Sequence, residues 1–519
     1  MAETVAAARR DRKAYLALAT AFVAGALLTL AFAPYDFWLL AIACPAVLIG
    51  LWARAARAKA GFWLGFAFGL GNFGFGTWWL YVAIHGFGQA PVWVALLVMG
   101  SLVLIMSTYY GLLGWVVVRF QFARSPAGWM ITVPAAWVLL EWWRGWFLSG
   151  FPWLSLGYSQ TETWLAGLAP ISGVHLVSAL LLVGAGALVT LVHWRELGTS
   201  TTQHRWRWIA LVLLLLPWPV AAALGRLQWT RVDGPPVSIA IVQGAIPQDM
   251  KWLEANHDSI LDVYERLNRE ALGAKLIVWP ESALPDYANA LAPYIGKAWG
   301  AAAAKGSALL LGVMRIDDTG TKFYNSVLAL GDGEPGYYDK QHLVPFGEYF
   351  PVPATVREWL RLMSLPNADF NAGAPGQPPL NAGGLQIAAS ICYEDAYPGV
   401  LRSAARESQL LVNVTNDAWF GRSAARYQHL QISQMRAIEA RRYLLRAAND
   451  GVSAVIAPQG AIVARAAEFE PTVLRASIEP RVGDTPYLRL GNTPILLLAA
   501  LILAGTLVWR RKLPPGGAV

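Results

Sequence analysis

Charge is scarce in this chain: only 14% of its 519 residues are Asp, Glu, Lys or Arg, 56% are hydrophobic, and the mean hydropathy is positive. That shortage excludes an ordinary soluble protein of this size and puts much of the chain in lipid. Cysteine is nearly absent as well. Cys44 lies in an apolar run and Cys392 in a far more polar region, which argues against a disulfide and leaves Cys392 as a free thiol. The seven histidines show no metal-ligand spacing, so no metal is expected. There is no glycine-rich loop with a lysine to cradle phosphate, hence no nucleotide site, and no cofactor is expected. The net charge of +8 does not point to nucleic acid, because the basic residues lie at the ends of apolar runs and not among interleaved aromatics.

What is present in quantity is long apolar sequence. A hydrocarbon core about 30 Å thick needs roughly 20 apolar residues in helix, and eight such runs lie near 15–33, 37–53, 61–84, 91–118, 128–148, 165–193, 207–225 and 493–509. Short cytoplasmic loops retain Lys and Arg, which orients the set. Arg9, Arg10, Arg12 and Lys13 precede the first run; Arg54, Arg57 and Lys59 follow the second, Arg119 and Arg124 the fourth, Arg195, Arg205 and Arg207 the sixth, and Arg510, Arg511 and Lys512 the eighth. The alternate loops 34–36 and 85–90 carry neither residue. Both termini are therefore expected in the cytoplasm and the segment between runs seven and eight outside. A cleaved signal peptide ending near Ala31-Phe32-Ala33 is the alternative for the first run, and it leaves that segment on the same side. The expected divisions are a membrane part over 1–225, an exterior domain over 226–491, and a last span with a cytoplasmic tail over 492–519.

The exterior segment alternates short apolar strands with amphipathic helices, and it is long enough for one sizeable core. Residues 237–242, 276–279, 309–314, 326–330, 385–391, 410–414 and 452–457 read as strands, several apolar throughout as in strands covered on both faces. Residues 253–272 and 423–448 read as helices. The order predicts an α/β sandwich with helices outside.

Three stretches place a reactive side chain at a strand end, where such folds present their sites. Glu281 follows Leu276-Ile-Val-Trp-Pro, Lys340 ends Gly336-Tyr-Tyr-Asp with Glu348 in the turn-rich loop beyond it, and Cys392 follows Ala388-Ala-Ser-Ile. Each has a bland reading: a strand-end cysteine is usually a small core hydrophobe, and a lone lysine or glutamate a solvated charge or a cap. Together they supply what a thiol needs to attack a carbonyl. A carboxylate takes the proton, and an ammonium with the Tyr393 N–H steadies the oxyanion.

In this order, the three motifs resemble the nitrilase superfamily of carbon–nitrogen hydrolases. The flanking residues and the eight-run frame are similar to those of the apolipoprotein N-acyltransferases, a family of bacterial enzymes that complete lipoprotein maturation. The matching pieces are Val242-Gln-Gly-Ala-Ile-Pro-Gln248 with Lys251-Trp252, Trp279-Pro-Glu-Ser-Ala-Leu-Pro285, Lys340-Gln-His-Leu-Val-Pro-Phe-Gly-Glu348, Ile391-Cys-Tyr-Glu394, Asn413-Val-Thr-Asn-Asp-Ala-Trp-Phe420, Leu30-Ala-Phe-Ala-Pro34 and Gly150-Phe-Pro-Trp-Leu154. The resemblance implies an αββα sandwich, with Glu281 as general base, Lys340 as electrostatic stabiliser and Cys392 as nucleophile. Trp252, Glu348, Tyr393 and Glu394 are implied as supporting or substrate-contacting residues. On spacing alone Trp252 could equally pack under a strand, Glu348 cap a turn, and Tyr393 and Glu394 serve packing and an ion pair.

The resemblance also implies the partners: a membrane phospholipid as acyl donor, a diacylglyceryl-apolipoprotein as acceptor, the bacterial inner membrane as the site, and a monomer. Val356, Trp359, Leu360 and Met363 share one helical face in 354–365, which fits either a lid over acyl chains or a helix packed on the domain. Glu141 and Arg144 in the fifth run are costly in lipid and read either as a pair near the exterior surface or, for Arg144, as a snorkelling side chain. Two rivals remain at this stage. One is a membrane-tethered amidase that uses the same residues with water as acceptor. The other is a non-enzymatic lipid-binding or transport protein, for which no paired Gly/Pro-interrupted halves are found.

Overall fold

The computed structural model describes residues 2–197, 199–331, 333–349 and 370–512. The segment 354–365, expected as a lid, lies outside them. Two compact units result. One comprises 1–81, 92–226 and 492–519, the other 82–91 and 227–491.

The first unit is helical, with helices at Ala2–Leu28, Leu40–Arg54, Ala58–Gly76, Val92–Arg119, Val133–Arg144, Ala169–Val192, Ser200–Leu215, Pro217–Gly225 and Thr493–Lys512. Among the described residues, five helical stretches are long and apolar enough to cross a membrane. Helix Ala58–Gly76 owes its packing to small residues. Cβ atoms added at Gly61 or Gly65 would overlap the backbone of Gly114 or Tyr110, and one at Gly69 would lie 2.6 Å from Ser107 Cα, all on helix Val92–Arg119. Spaced four apart, these glycines form a flat strip that lets two backbones touch, the usual source of helix association where lipid supplies no hydrophobic drive.

Glu141 and Arg144 differ from expectation. Both are buried, and each bonds the chain that follows their helix. Arg144 Nη1 donates to the carbonyls of Phe151 and Trp153 (2.6 and 2.7 Å) and Nη2 to Ser155 Oγ, while Glu141 Oε1 accepts the Leu156 N–H. The irregular 151–156 backbone has no helical partners of its own, so its polar groups draw both side chains inward.

The second unit stacks two six-stranded sheets. Numbering strands along the chain, β1 is Arg231–Val232, β2 Val237–Gln243, β3 Leu276–Val278, β4 Ala308–Ile316, β5 Phe323–Leu330, β6 Gly336–Asp339, β7 Leu380–Ala382, β8 Leu385–Ile391, β9 Leu410–Thr415, β10 Leu444–Ala448, β11 Ala454–Ile456, β12 Ile462–Arg465, β13 Thr472–Ile478 and β14 Arg481–Val482. The sheet orders are β13-β2-β3-β4-β5-β6 and β12-β11-β10-β9-β8-β7, and β1 pairs with β14 separately. β2, β3 and β4 run parallel, as do β8, β9 and β10.

One core cluster lies between the sheets and includes Ile241, Val278, Leu310, Ile391, Val412 and Leu445. Alternate residues of the same strands face outward. Helices His257–Ala271 and Ala292–Ala303 cover the first sheet, and helices Pro398–Arg406 and Ala425–Ala440 the second. Strands apolar on both faces therefore become the two inner layers of an αββα sandwich.

Strands β7, β12 and β13 and helices Ala292–Ala303 and Pro398–Arg406 are not among the expected elements, and one expected helix is different in kind. The stretch 423–448 is not a single helix: it ends at Ala440, Arg441 turns left-handed (φ 53°), and 444–448 is β10, paired with β9 and β11. A row of apolar residues ended by a buried arginine satisfies helical spacing in isolation. The gap beside β9 decides for strand.

Leu445 is fully buried between the sheets. Leu445→Ala should cost about 2–5 kcal/mol, read as an apparent melting temperature roughly 5–15 °C lower for the full chain in detergent. An unchanged midpoint would mean that the inter-sheet layer is not the core.

Candidate active site

Glu281 lies just beyond β3, where the chain is held against β4. Trp279 N–H donates to Leu310 O and Ala283 N–H to Gly312 O, both at 2.8 Å. Gly312 has to be glycine for this approach, since an added Cβ would overlap Pro280 O and lie 2.5 Å from Glu281 Cα. The Glu281 carboxylate is buried. Its Oε1 accepts from Asn325 Nδ2 (2.7 Å) and its Oε2 from the Asn416 N–H (2.8 Å).

Lys340 follows β6 and is also buried. Its backbone N–H donates to Asn325 O (2.8 Å), and its Nζ lies 2.8 Å from Glu348 Oε1 and 3.5 Å from Glu281 Oε1. Burial alone would lower the lysine pKa, but Glu348 and Glu281 outweigh it, so the pKa rises and the ammonium stays charged. Glu348 also accepts from Asn325 Nδ2 (3.0 Å) and from the Val344 N–H (2.8 Å), so it caps its own turn while serving the lysine.

Cys392 ends β8 with φ at +52° and opens a short 3-10 turn, Cys392–Ala396. A non-glycine residue in that conformation marks a tight strand-to-helix turn held by its surroundings. Burial pushes the thiol pKa up, and so does the charge of Glu281, while Lys340 opposes both. The resting group is therefore a neutral thiol that feels the charges of both Glu281 and Lys340.

Glu394 joins the two halves of the site. Its Oε1 accepts the N–H groups of Gln341 (2.6 Å) and His342 (3.0 Å), and its Oε2 accepts the Ile391 N–H (2.8 Å) and the Tyr338 hydroxyl (3.0 Å). Burial lifts its pKa to about 7, against the pull of Lys340 and the three backbone donors. The loop after Lys340 and the turn carrying Cys392 are thus tied through one side chain, which acts as a multiple hydrogen-bond acceptor and not as an ion-pair partner.

Tyr393 is half-buried, with its ring edge-on to Tyr397 (5.0 Å between centroids). Trp252 is 48% exposed, so it does not pack under a strand. The buried side chain is its neighbour Lys251, whose Nζ lies 5.5 Å from the indole centroid. Burial lowers the Lys251 pKa to about 8, opposed by Glu281 and Asp450.

The structure thus brings Glu281, Lys340, Cys392, Glu348 and Glu394 together and leaves Trp252 at the surface. Spacing did not single out Asn325, Asn416 or Lys251, although two of them lie inside quoted motifs. Also missed was a buried group of Asp395, Asp417, His429 and Arg446 next to Cys392. Its signal was hidden because Arg446 had been placed on a helix.

Two outcomes follow from this geometry. Gly312→Ala displaces the Glu281 turn, so alkylation of Cys392 by iodoacetamide should slow by about tenfold, the scale expected for a displaced base; an unchanged rate would show that Glu281 does not govern the thiol. The second concerns stability against pH. Burial and Arg446 oppose protonation of His429, but Asp395 and Asp417 prevail and raise its pKa to about 9. Its contribution is fully present below the unfolded value of about 6.5 and is lost as pH rises toward 9. Asp450, raised to about 7 mainly by burial, acts in the same direction, and Lys251 opposes from about pH 8 upward. The melting temperature should therefore fall between pH 6.5 and 8 and then level off; a rise over that interval would contradict the assignment.

Comparison with known proteins agrees with this architecture. Residues 24–187 match the apolipoprotein N-acyltransferase N-terminal domain, and residues 238–487 match the carbon-nitrogen hydrolase family. The apolipoprotein N-acyltransferase of Chromobacterium violaceum is 40% identical over 501 residues, covering 95% of this chain and 94% of that protein. That of Pseudomonas paraeruginosa is 40% identical over 499 residues (95% and 96%), and that of Vibrio vulnificus 38% over 507 residues (95% and 97%). With both units covered at this identity, the chain belongs to the apolipoprotein N-acyltransferase family.

Proposed function

We propose that this protein transfers a fatty acyl chain from a membrane phospholipid to the α-amino group of the diacylglyceryl-cysteine that begins an apolipoprotein. The observation that carries the reading is the buried Lys340 ammonium held between Glu281 and Glu348 beside the Cys392 turn, in a chain similar over nearly its whole length to enzymes of that name. In the first step Glu281 takes the Cys392 proton as the sulfur attacks the phospholipid ester carbonyl. Lys340 and the Tyr393 N–H steady the oxyanion. The departing lysophospholipid oxygen recovers the proton from Glu281, leaving a thioester. In the second step the free amine attacks that thioester, Glu281 accepts the amine proton, and the sulfur leaves with it as a thiol.

The raised thiol pKa supports this order of events. A thiolate next to Glu281 and Glu348 would add a third negative charge around one ammonium, whereas proton transfer to Glu281 during attack leaves the count unchanged. Glu348 is assigned to holding Lys340, Glu394 to fixing the turn, and Trp252 to substrate contact at the surface. The basic loops support an inner-membrane protein with residues 226–491 in the periplasm, membrane parts over 1–225 and 492–519, eight spans and both termini in the cytoplasm. Keeping both lipid substrates in the bilayer avoids about 0.8 kcal/mol for each CH₂ exposed to water. An amidase using water as acceptor is not favoured, because one span would suffice to tether it.

The test is mass spectrometry of the full chain incubated with phospholipid vesicles. A fatty-acyl thioester should appear on Cys392 and be absent in Cys392→Ala. A peptide starting with diacylglyceryl-cysteine should discharge it and gain the acyl group, while its N-acetylated form should not. Lys340→Met should slow acylation by roughly 100- to 1000-fold, the cost of losing one oxyanion donor. Release of free fatty acid with the peptide unmodified would establish a hydrolase instead.

A further inference from the structure

The parallel register of β8, β9 and β10 lines up Ser390, Asn413 and Arg446 as partners across the sheet, on the face turned to helix Ala425–Ala440 and away from the inter-sheet core. They bond in a row. Asn413 Nδ2 donates to Ser390 Oγ (3.0 Å), and Arg446 Nη1 donates to Asn413 Oδ1 (2.8 Å). The helix lowers His429 and Ser433 onto this row, and Asp395 and Asp417 reach it from the turns after β8 and β9.

Asp395, Asp417, His429 and Arg446 are each 1% exposed or less. Four such groups persist in an interior only if their charges cancel and every oxygen is bonded. Every carboxylate oxygen here is bonded. His429 Nε2 bonds Asp395 Oδ1 (3.0 Å), so that ring nitrogen carries a proton, while Nδ1 lies 2.9 Å from Asp417 Oδ1 and 2.8 Å from Arg446 Nη2. Arg446 Nη2 bonds Asp417 Oδ2 (2.7 Å), and the Ser433 hydroxyl donates to Asp395 Oδ2.

The cluster also reaches the nucleophile, through its backbone. Cys392 O accepts from His429 Nε2 (3.1 Å) and from Asn413 Nδ2 (3.2 Å). The Cys392–Tyr393 peptide is trans, so its C=O and N–H lie in one plane and point in opposite directions. Anchoring the carbonyl in the cluster fixes where the Tyr393 N–H points.

We infer that His429 is a positioning residue: held between Asp395 and Asp417, its Nε2–H clamps the Cys392 carbonyl with Asn413 and thereby aims the Tyr393 N–H at the oxyanion formed during acylation. The inference rests on the acyl-transfer reading of Cys392, but it concerns the oxyanion and not the identity of the acyl donor. A displaced donor costs rate only in reactions that pass through an oxyanion. Alkylation of the thiol by iodoacetamide has none.

The experiment compares the two reactions in the full-length protein. Acylation of Cys392 is followed with p-nitrophenyl butyrate and with vesicles of phosphatidylethanolamine and phosphatidylglycerol, and alkylation with iodoacetamide. His429→Leu should lower the acylation kcat with p-nitrophenyl butyrate by about 100-fold at nearly constant KM, the scale of one misaimed donor, while alkylation changes by no more than about threefold. His429→Gln, which restores an N–H donor, should recover about tenfold of that loss. Near-normal alkylation also reports an intact site. If His429→Leu does not fold, the uncharged Asn413→Val removes the other donor to the same carbonyl and should give the same contrast. Equal losses in both reactions, or Leu and Gln variants that behave alike, would overturn the inference. Wild-type protein acylated by p-nitrophenyl butyrate but not by vesicles would refute the phospholipid donor while leaving the His429 comparison valid. Wild-type protein acylated by neither would end both.

Discussion

An ammonium shut away from water keeps its charge only where anions repay the lost hydration, and Lys340 sits between two carboxylates that do so. Much of the second unit follows from meeting that requirement. Glu281 comes from the end of β3, Lys340 from the end of β6 and Glu348 from the loop after it, while Asn325 on β5 donates to both carboxylates and accepts the Lys340 N–H through its backbone. Removing any one of these leaves a buried charge or donor without its partner. The thiol of Cys392 enters this field as a neutral group, because burial and the Glu281 carboxylate both raise its pKa.

The sandwich explains how residues more than a hundred positions apart meet. Glu281 and Lys340 stand on one sheet, Cys392 and Asn416 on the turns of the other, and the Asn416 N–H bonds Glu281 across the stack. Glu394 makes a second cross-tie, from the Cys392 turn to the Lys340 loop. Behind Cys392 the second sheet carries its own buried polar cluster, which holds the Cys392 carbonyl through His429 and Asn413. The first unit uses a different physics. Small residues on helix Ala58–Gly76 let backbones touch, and Arg144 and Glu141 satisfy an irregular segment that has no water to turn to.

Local pattern reached far in this chain. Apolar runs marked most helices of the first unit, and continuous apolar stretches marked β2 to β5, β8 and β9 within a residue or three of their ends. The exceptions have separate causes. β10 passed for helix because alternation is invisible in a strand buried on both faces, and there only the neighbouring strand's unpaired edge distinguishes the two. Glu141 and Arg144 looked like a surface pair because charges at the end of an apolar run usually snorkel, whereas here a folded-back segment offered carbonyls at closer range.

The sequence by itself determined the apolar helices of the first unit and most central strands of the second, because hydropathy and periodicity are properties of contiguous residues, and its short motifs carried the family resemblance that implied the αββα sandwich. Only the tertiary structure decided that Glu394 stitches two loops, that Trp252 is exposed while Lys251 is buried, and that His429 and Arg446 share a sealed charge cluster behind Cys392. Those facts depend on distances between segments far apart in the chain and on the absence of water around them. No run of neighbouring letters encodes either quantity.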